Sequence, residues 1–252
     1  LAAAAAAGRD KVVLRPPETV ATVALWIEQL LAESSGKDGK GVVPVVGDPD
    51  GTAPDREVVT EVSPDPLDLG AEFQRWMYAT VELCGRLGVN PFDQPNVEEA
   101  KALARAELQR GGDGGPAPRT LSPAELRRAA RPGDYLAILA YLPPLPDVAA
   151  ALQGVRAAWG RALGCAATVG FGPRYLHSTG QLHKGGPNSG LFLAVTADDA
   201  ADLEIPGMDL TFGRLKHAQA IGDVRALLAR GRRVAHVHLP HWEALERLSG
   251  MP

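Results

Sequence analysis

Cysteine is scarce. The 252 residues hold two, Cys84 in a helical stretch and Cys165 opening an apolar run, so no disulfide framework is implied and a reducing cytoplasm fits best. Positive charge is not in surplus: Lys plus Arg number 26 against 30 Asp plus Glu, a formal net charge of -4. The Arg-rich spots (Arg127, Arg128, Arg131; Arg230, Arg232, Arg233) read as helix ends, and no nucleic-acid partner is expected. No apolar run is long enough for a membrane span, so no membrane partner is expected. The opening LAAAAAAGRD is short and weakly apolar, has no basic leader and no initiator Met, and reads as a helix tail from a longer polypeptide. A P-loop, a G-x-G-x-x-G after a strand and a solenoid-period repeat are all missing, which argues against nucleotide binding and repeat architectures.

What is present is a globular composition, 45% hydrophobic and 22% charged, sufficient for one large or two small domains. Residues 11–14 are a short β-branched run, and 18–33 carry apolar residues at Val20, Val23, Ala24, Ile27, Leu30 and Leu31, which predicts a strand followed by an amphipathic helix. Strands are predicted at 41–46 and 57–62, around the turn-forming GDPDGTAPD. A helix is predicted from Pro66 to Leu87 with Gly88 as its stop, then a loop over 89–95 and a helix over 97–109 capped by Asn96. Residues 110–118, RGGDGGPAP, have little to pack and predict a mobile surface linker. Beyond it, helices are expected at 123–130, 147–163 and 212–230, and strands at 135–142, 165–169, 191–195 and 233–239. The alternation predicts βαβ units, hence an α/β fold with an open, mainly parallel sheet flanked by helices, and ligands outside the strands' carboxyl ends. The expected division is 1–109, a linker at 110–121, and a C-terminal α/β region at 122–252.

Three segments concentrate chemistry. Residues 24–40, ALWIEQLLAESSGKDGK, set Glu33 at the end of an apolar helical run directly before Ser-Ser-Gly-Lys, where the Ile27, Leu30 and Leu31 face supplies desolvation that raises a carboxylate's pKa. Gln29 lies one turn earlier on the same face. Residues 90–101 read NPFDQPNVEEAK, and residues 170–188, GFGPRYLHSTGQLHKGGPN, crowd two His, an Arg, a Lys, a Gln and five Gly after a predicted strand. Each also has a plain structural reading as a solvated helix end, a surface charge or a Gly-rich turn.

Together the three resemble the glucose-6-phosphate isomerase family, whose sugar-isomerase domains are flavodoxin-like. Glu33 falls on the Glu of its "ES-x-GK" segment, Lys101 on the Lys closing "FDQ-x-x-VE-x-x-K", and His177 on the His of "LHS-x-GQ". The likeness covers about three quarters of the chain. It is nearest to the isomerase part of bifunctional transaldolase/phosphoglucose isomerase polypeptides. It implies interconversion of glucose 6-phosphate and fructose 6-phosphate through an enediol or enediolate, with Glu33 moving the proton between C2 and C1 and His177 and Lys101 handling ring-oxygen and O1 protons. Gln29 and Gln94 are implied substrate contacts. Ser34, Ser35 and Lys37 stand between ligand contact and turn structure, and Arg174 is a weak substitute for the family's enediolate cation. No cofactor or metal is implied. A homodimer is implied, because the family's sites borrow a His from a neighbouring subunit.

Two departures accompany the resemblance. The order Glu33, Lys101, His177 differs from the ordinary isomerase, in which the His segment lies between the other two. The family's first domain, with its Gly-Gly-Arg segment and Ser/Thr-rich phosphate loop, has no counterpart, so an upstream isomerase domain and a transaldolase domain are the expected companions in a longer polypeptide. Two other readings stay open: a non-catalytic phosphosugar-binding module of the same fold, and a metal enzyme using His177, His183 and the His236-x-His238 pair.

Overall fold

The computed structural model describes residues 1–47, 53–95 and 118–250. The predicted helix at 97–109 and most of the predicted linker, residues 110–117, lie outside them. The fold is α/β, and every strand pairing within its sheets is parallel. Instead of one open sheet there are two, one in each of two compact units: residues 1–95 with 177–188, and residues 96–176 with 189–252. His177–Asn188, expected with the C-terminal region, therefore belongs to the first unit.

In the first unit a short helix α1 (Ala2–Ala6) precedes β1 (Lys11–Leu14), which is buried at all four residues and lies between β2 (Val43–Val46) and β3 (Arg56–Val59). Helix α2 (Val23–Ser35) follows β1 and lays Val23, Ala24, Ile27 and Leu31 into a core shared with Val12, Leu14, Trp76 and Leu83. The last two come from α3 (Leu69–Leu87), which ends at Gly88 in the left-handed region, as the sequence predicts for a glycine C-terminal to a helix. The segment 177–188, read as irregular, instead holds a helix, α6 (Gly180–Gly185), with His183 N–H donating to the Thr179 carbonyl at 3.0 Å. Six residues between glycines are too few for a 3.6-residue period to register in the sequence.

The second unit begins with α4 (Pro123–Arg128), started by a capping box in which Ser122 Oγ accepts from Glu125 N and the Glu125 carboxylate accepts from Ser122 N. Strand β4 (Tyr135–Tyr141) is buried along its whole length, as a central parallel strand covered on both faces must be. Around it the order is β5 (Ala166–Phe171), β4, β6 (Gly190–Ala197), β7 (Arg233–Leu239). Helix α5 (Pro146–Leu163) packs Val148, Leu152, Val155 and Trp159 against one face, with Leu136, Ile138, Ala140, Leu193 and Val195. Helix α7 (Phe212–Ala229) meets the alternate residue Tyr141, whose Oη donates to the Gln219 carbonyl, and its buried Asp223 carboxylate accepts from Tyr175 Oη, which comes from the 3-10 turn at Arg174–His177.

Leu121, at the end of the expected linker, forms a parallel bridge with Ala235, its N–H donating to the Val234 carbonyl at 2.9 Å. The chain closes with helix α8 (Glu246–Ser249), absent from the sequence reading. It is anchored by buried Leu245 and Leu248 and by Trp159 Nε1 donating to the Leu248 carbonyl at 2.8 Å.

Candidate functional site

The first unit gathers most of the predicted site. Glu33 lies in the last turn of α2, half-buried, where its carboxylate loses water but stays reachable. Two side-chain amides converge on its Oε2: Gln29 Nε2, one turn earlier on the helix, at 3.3 Å, and Gln94 Nε2, 61 residues away in sequence, at 3.4 Å. A carboxylate held through one oxygen presents the other for proton transfer. Burial raises the Glu33 pKa above the ordinary carboxylate value of 4.5, and the Gln29 hydrogen bond, the His177 imidazole and the Lys37 ammonium each oppose the rise. A carboxylate near an amide pair, an exposed imidazole and an ammonium is a group equipped to take and return a proton.

The turn after α2 sets this geometry. Gly36 is required there: a Cβ on it would lie 2.4 Å from Leu182 Cα and 2.8 Å from Leu182 Cβ, so only glycine lets the backbone of α6 come this close. The buried Gln181 side chain donates to the Gly36 carbonyl at 2.9 Å, and Gly39 N–H donates to the Gly185 carbonyl at 2.9 Å. Those bonds fix the His177–Asn188 segment beside the Glu33 turn. The sequence motif includes Gly36 without a stated role, and its role as a contact surface was hidden because Leu182 is 146 positions away.

Lys37 is buried, and its Nζ donates to the Asn90 carbonyl at 2.5 Å, tying the turn to the 90–95 loop that delivers Gln94. Burial lowers its pKa, against the pull of Cys84, Asp93, Asp38 and Glu33. Ser35 is fully buried, donates to the Leu31 carbonyl at 2.7 Å and accepts from Val42 N–H at 3.2 Å, so its hydroxyl is engaged within the turn. Ser34 is half-buried and its carbonyl accepts the Cys84 thiol at 3.3 Å. Burial pushes the Cys84 pKa up, so this cysteine, which the sequence suggested only as part of a helix, stays a neutral donor beneath the site.

Lys101 lies outside the described residues. Arg174 is exposed, in a 3-10 turn whose first three residues belong to the second unit. Among the described residues no group of three or more His, Cys, Asp or Glu is arranged to hold a metal ion. His236 and His238 share a face of β7, as the strand period predicts, and both meet Thr196 Oγ1 at 2.9 Å. No described helix is long and apolar enough to cross a membrane.

No family model matches the sequence, and no curated protein is significantly similar to it. Among solved structures, the crystal structure of a hypothetical protein from Thermus thermophilus is similar over 96% of this chain and 76% of its own, with 17% identity and a TM-score of 0.42. That likeness is too distant to carry a function.

Proposed function

We propose that this chain carries the catalytic portion of an aldose-ketose isomerase that interconverts glucose 6-phosphate and fructose 6-phosphate, with Glu33 as the base moving a proton between C2 and C1. The observation that carries the reading is Glu33 itself: a half-buried carboxylate with a raised pKa, held through one oxygen by Gln29 and Gln94 and facing His177 and Lys37. A base that must both take and return a proton works best with a pKa drawn toward neutrality, and desolvation supplies the direction.

In this reading His177 assists ring opening and Lys101 serves the O1 proton. Gln29 and Gln94 position the carboxylate and meet substrate hydroxyls. A dianionic phosphate needs a nest of donors, and the enediolate needs a fixed cation worth about 3 kcal/mol in the transition state. The proposal assigns both to a companion isomerase domain upstream, within a homodimer in the cytoplasm and, as the resemblance implies, alongside a transaldolase domain.

A coupled assay of glucose 6-phosphate to fructose 6-phosphate conversion tests the assignment. In a polypeptide that includes upstream sequence, Glu33→Gln is expected to abolish turnover while leaving sugar-phosphate binding by calorimetry intact. Turnover by that variant within about tenfold of the parent, a difference of only about 1.4 kcal/mol, would remove Glu33 from the chemistry. Phosphosugar binding by a parent protein that shows no turnover would favour the non-catalytic binding module.

A further inference from the structure

The sheet of the second unit reverses its winding between β4 and β6. From β4 the chain passes through α5 to β5 on one side, then returns across β4 to β6 and through α7 to β7 on the other. Helices α5 and α7 cover opposite faces, so a crevice must open where the two carboxyl ends part. A cavity of about 440 Å³ lies there, within the range of small-molecule sites, lined by Tyr141 at the end of β4, Thr196 and Ala197 at the end of β6, and His238 near the end of β7. It is made wholly by the second unit, whereas Glu33 and its amides belong to the first.

The lining is polar and its parts are locked. His238 is fixed at both nitrogens, Nδ1 on Thr196 Oγ1 at 2.9 Å and Nε2 on Asp198 Oδ1 at 3.1 Å. Asp202 accepts from Gly213 N–H at 2.7 Å, and a Cβ on Gly213 would fall 2.6 Å from its Oδ2, so the carboxylate is seated in the first turn of α7. Lys216 pairs with Asp199. The positive end of α7 is therefore already occupied by a carboxylate, and the three lining aspartates outnumber the two permanent cations, Lys216 and Arg214, which disfavours an anionic ligand. An apolar ligand would strip these groups of water without replacing it. A monocation would gain from the aspartates but meet Lys216 and Arg214. A neutral ligand carrying adjacent hydroxyls has no such conflict, because each hydroxyl can donate to a carboxylate and accept from an ammonium.

We infer that this cavity is a second binding site, for a neutral polyhydroxylated molecule of about hexose size, separate from the Glu33 site and independent of the isomerase reading. Titration of the 15N-labelled full chain with D-sorbitol, sodium sulfate and methylammonium, read at the backbone amides of 196–202 and 213–217, tests it. Sorbitol is expected to shift those amides saturably at millimolar concentration, and Glu33→Gln is expected to leave the shifts unchanged. Lys216→Gln and, separately, Asp198→Asn should each weaken sorbitol binding about tenfold, the value of one charge-assisted hydrogen bond. Because Asp198 is largely exposed, its variant tests the site even where the loss of Lys216 disturbs the fold. No saturable shift with sorbitol, a stronger response to sulfate or methylammonium, or undiminished affinity in a folded Asp198→Asn chain would overturn the assignment.

Discussion

In its proposed role as a base, Glu33 carries opposite demands on stability and activity. Its folded-state pKa is raised, so the folded protein binds the Glu33 proton more tightly than the unfolded chain does. Whatever stability that proton contributes is fully present below the ordinary value of 4.5 and is lost as pH rises through the raised pKa. Glu33→Gln removes the ionisation, and its amide oxygen can still accept from Gln29 and Gln94. The variant is therefore expected to equal or exceed the parent in thermal midpoint at neutral pH, with the parent closing the gap as pH falls toward 4.5; unfolding scans across that range check it. If Glu33 is the base that we propose, it must be deprotonated to act, and turnover should rise with pH through the same raised pKa. The direction of the pKa shift was legible from the apolar face at Ile27, Leu30 and Leu31. The fates of Ser35 and Lys37 were not, because a Ser-Ser-Gly-Lys string does not state that one hydroxyl is consumed by Leu31 and Val42 or that the ammonium reaches the Asn90 carbonyl.

Between elements, contact distance decides more than composition. Helix α6 rests on Gly36 with no room for a methyl group, so Gly36→Ala must push Leu182 and the backbone around it away from the end of α2. Overpacking against backbone costs about 1–3 kcal/mol, and the same shift would carry His177 off its position. The expected outcome is a lower thermal midpoint and, on the proposed isomerase reading, a larger loss of turnover than stability alone explains, whereas Gly39→Ala, at a glycine with φ 72° and open space around it, should cost stability without that excess. In the second unit, Asp134 and Arg233 join the starts of β4 and β7 through a two-bond pair at 2.6 and 2.7 Å, with the carboxylate buried and the guanidinium half-buried. Asp134→Ala leaves the guanidinium without its carboxylate and is expected to cost about 3–5 kcal/mol in denaturant unfolding. The strands themselves were visible in the sequence, since unbroken apolar runs such as YLAILAYL are too short for a core helix and are bounded by Pro and Gly. Helix α6 and helix α8 were not, because each is too short to show a period.

At the level of the whole molecule, acid sensitivity is expected to come from the second unit. His236 is half-buried with its Nε2 on Thr196 Oγ1 and faces His238 and His217, and desolvation, with those two neighbours, lowers its pKa from 6.5 to about 4. The unfolded chain thus binds the proton more readily, so the stabilisation is whole above 6.5 and is lost as pH falls toward 4. His236→Gln should flatten the stability profile across that window, measured by denaturant midpoints at each pH. The first unit carries a different dependence: residues 1–95 expressed alone lack the 177–188 segment and should unfold at a lower temperature than in the full chain. What the sequence determined by itself was periodicity: which stretches are strands or long helices, that the strands run parallel, and that a carboxylate, two amides and a histidine fall in three unusual segments. Only the tertiary structure decided the partnerships. It divided the strands between two sheets, returned residues 177–188 to the first unit, and opened a cavity where β4 and β6 part. Local patterns reflect the faces an element must bury, whereas pairing between distant segments depends on which of many similar surfaces fit, and a glycine or a carbonyl leaves no mark of its distant partner in the chain.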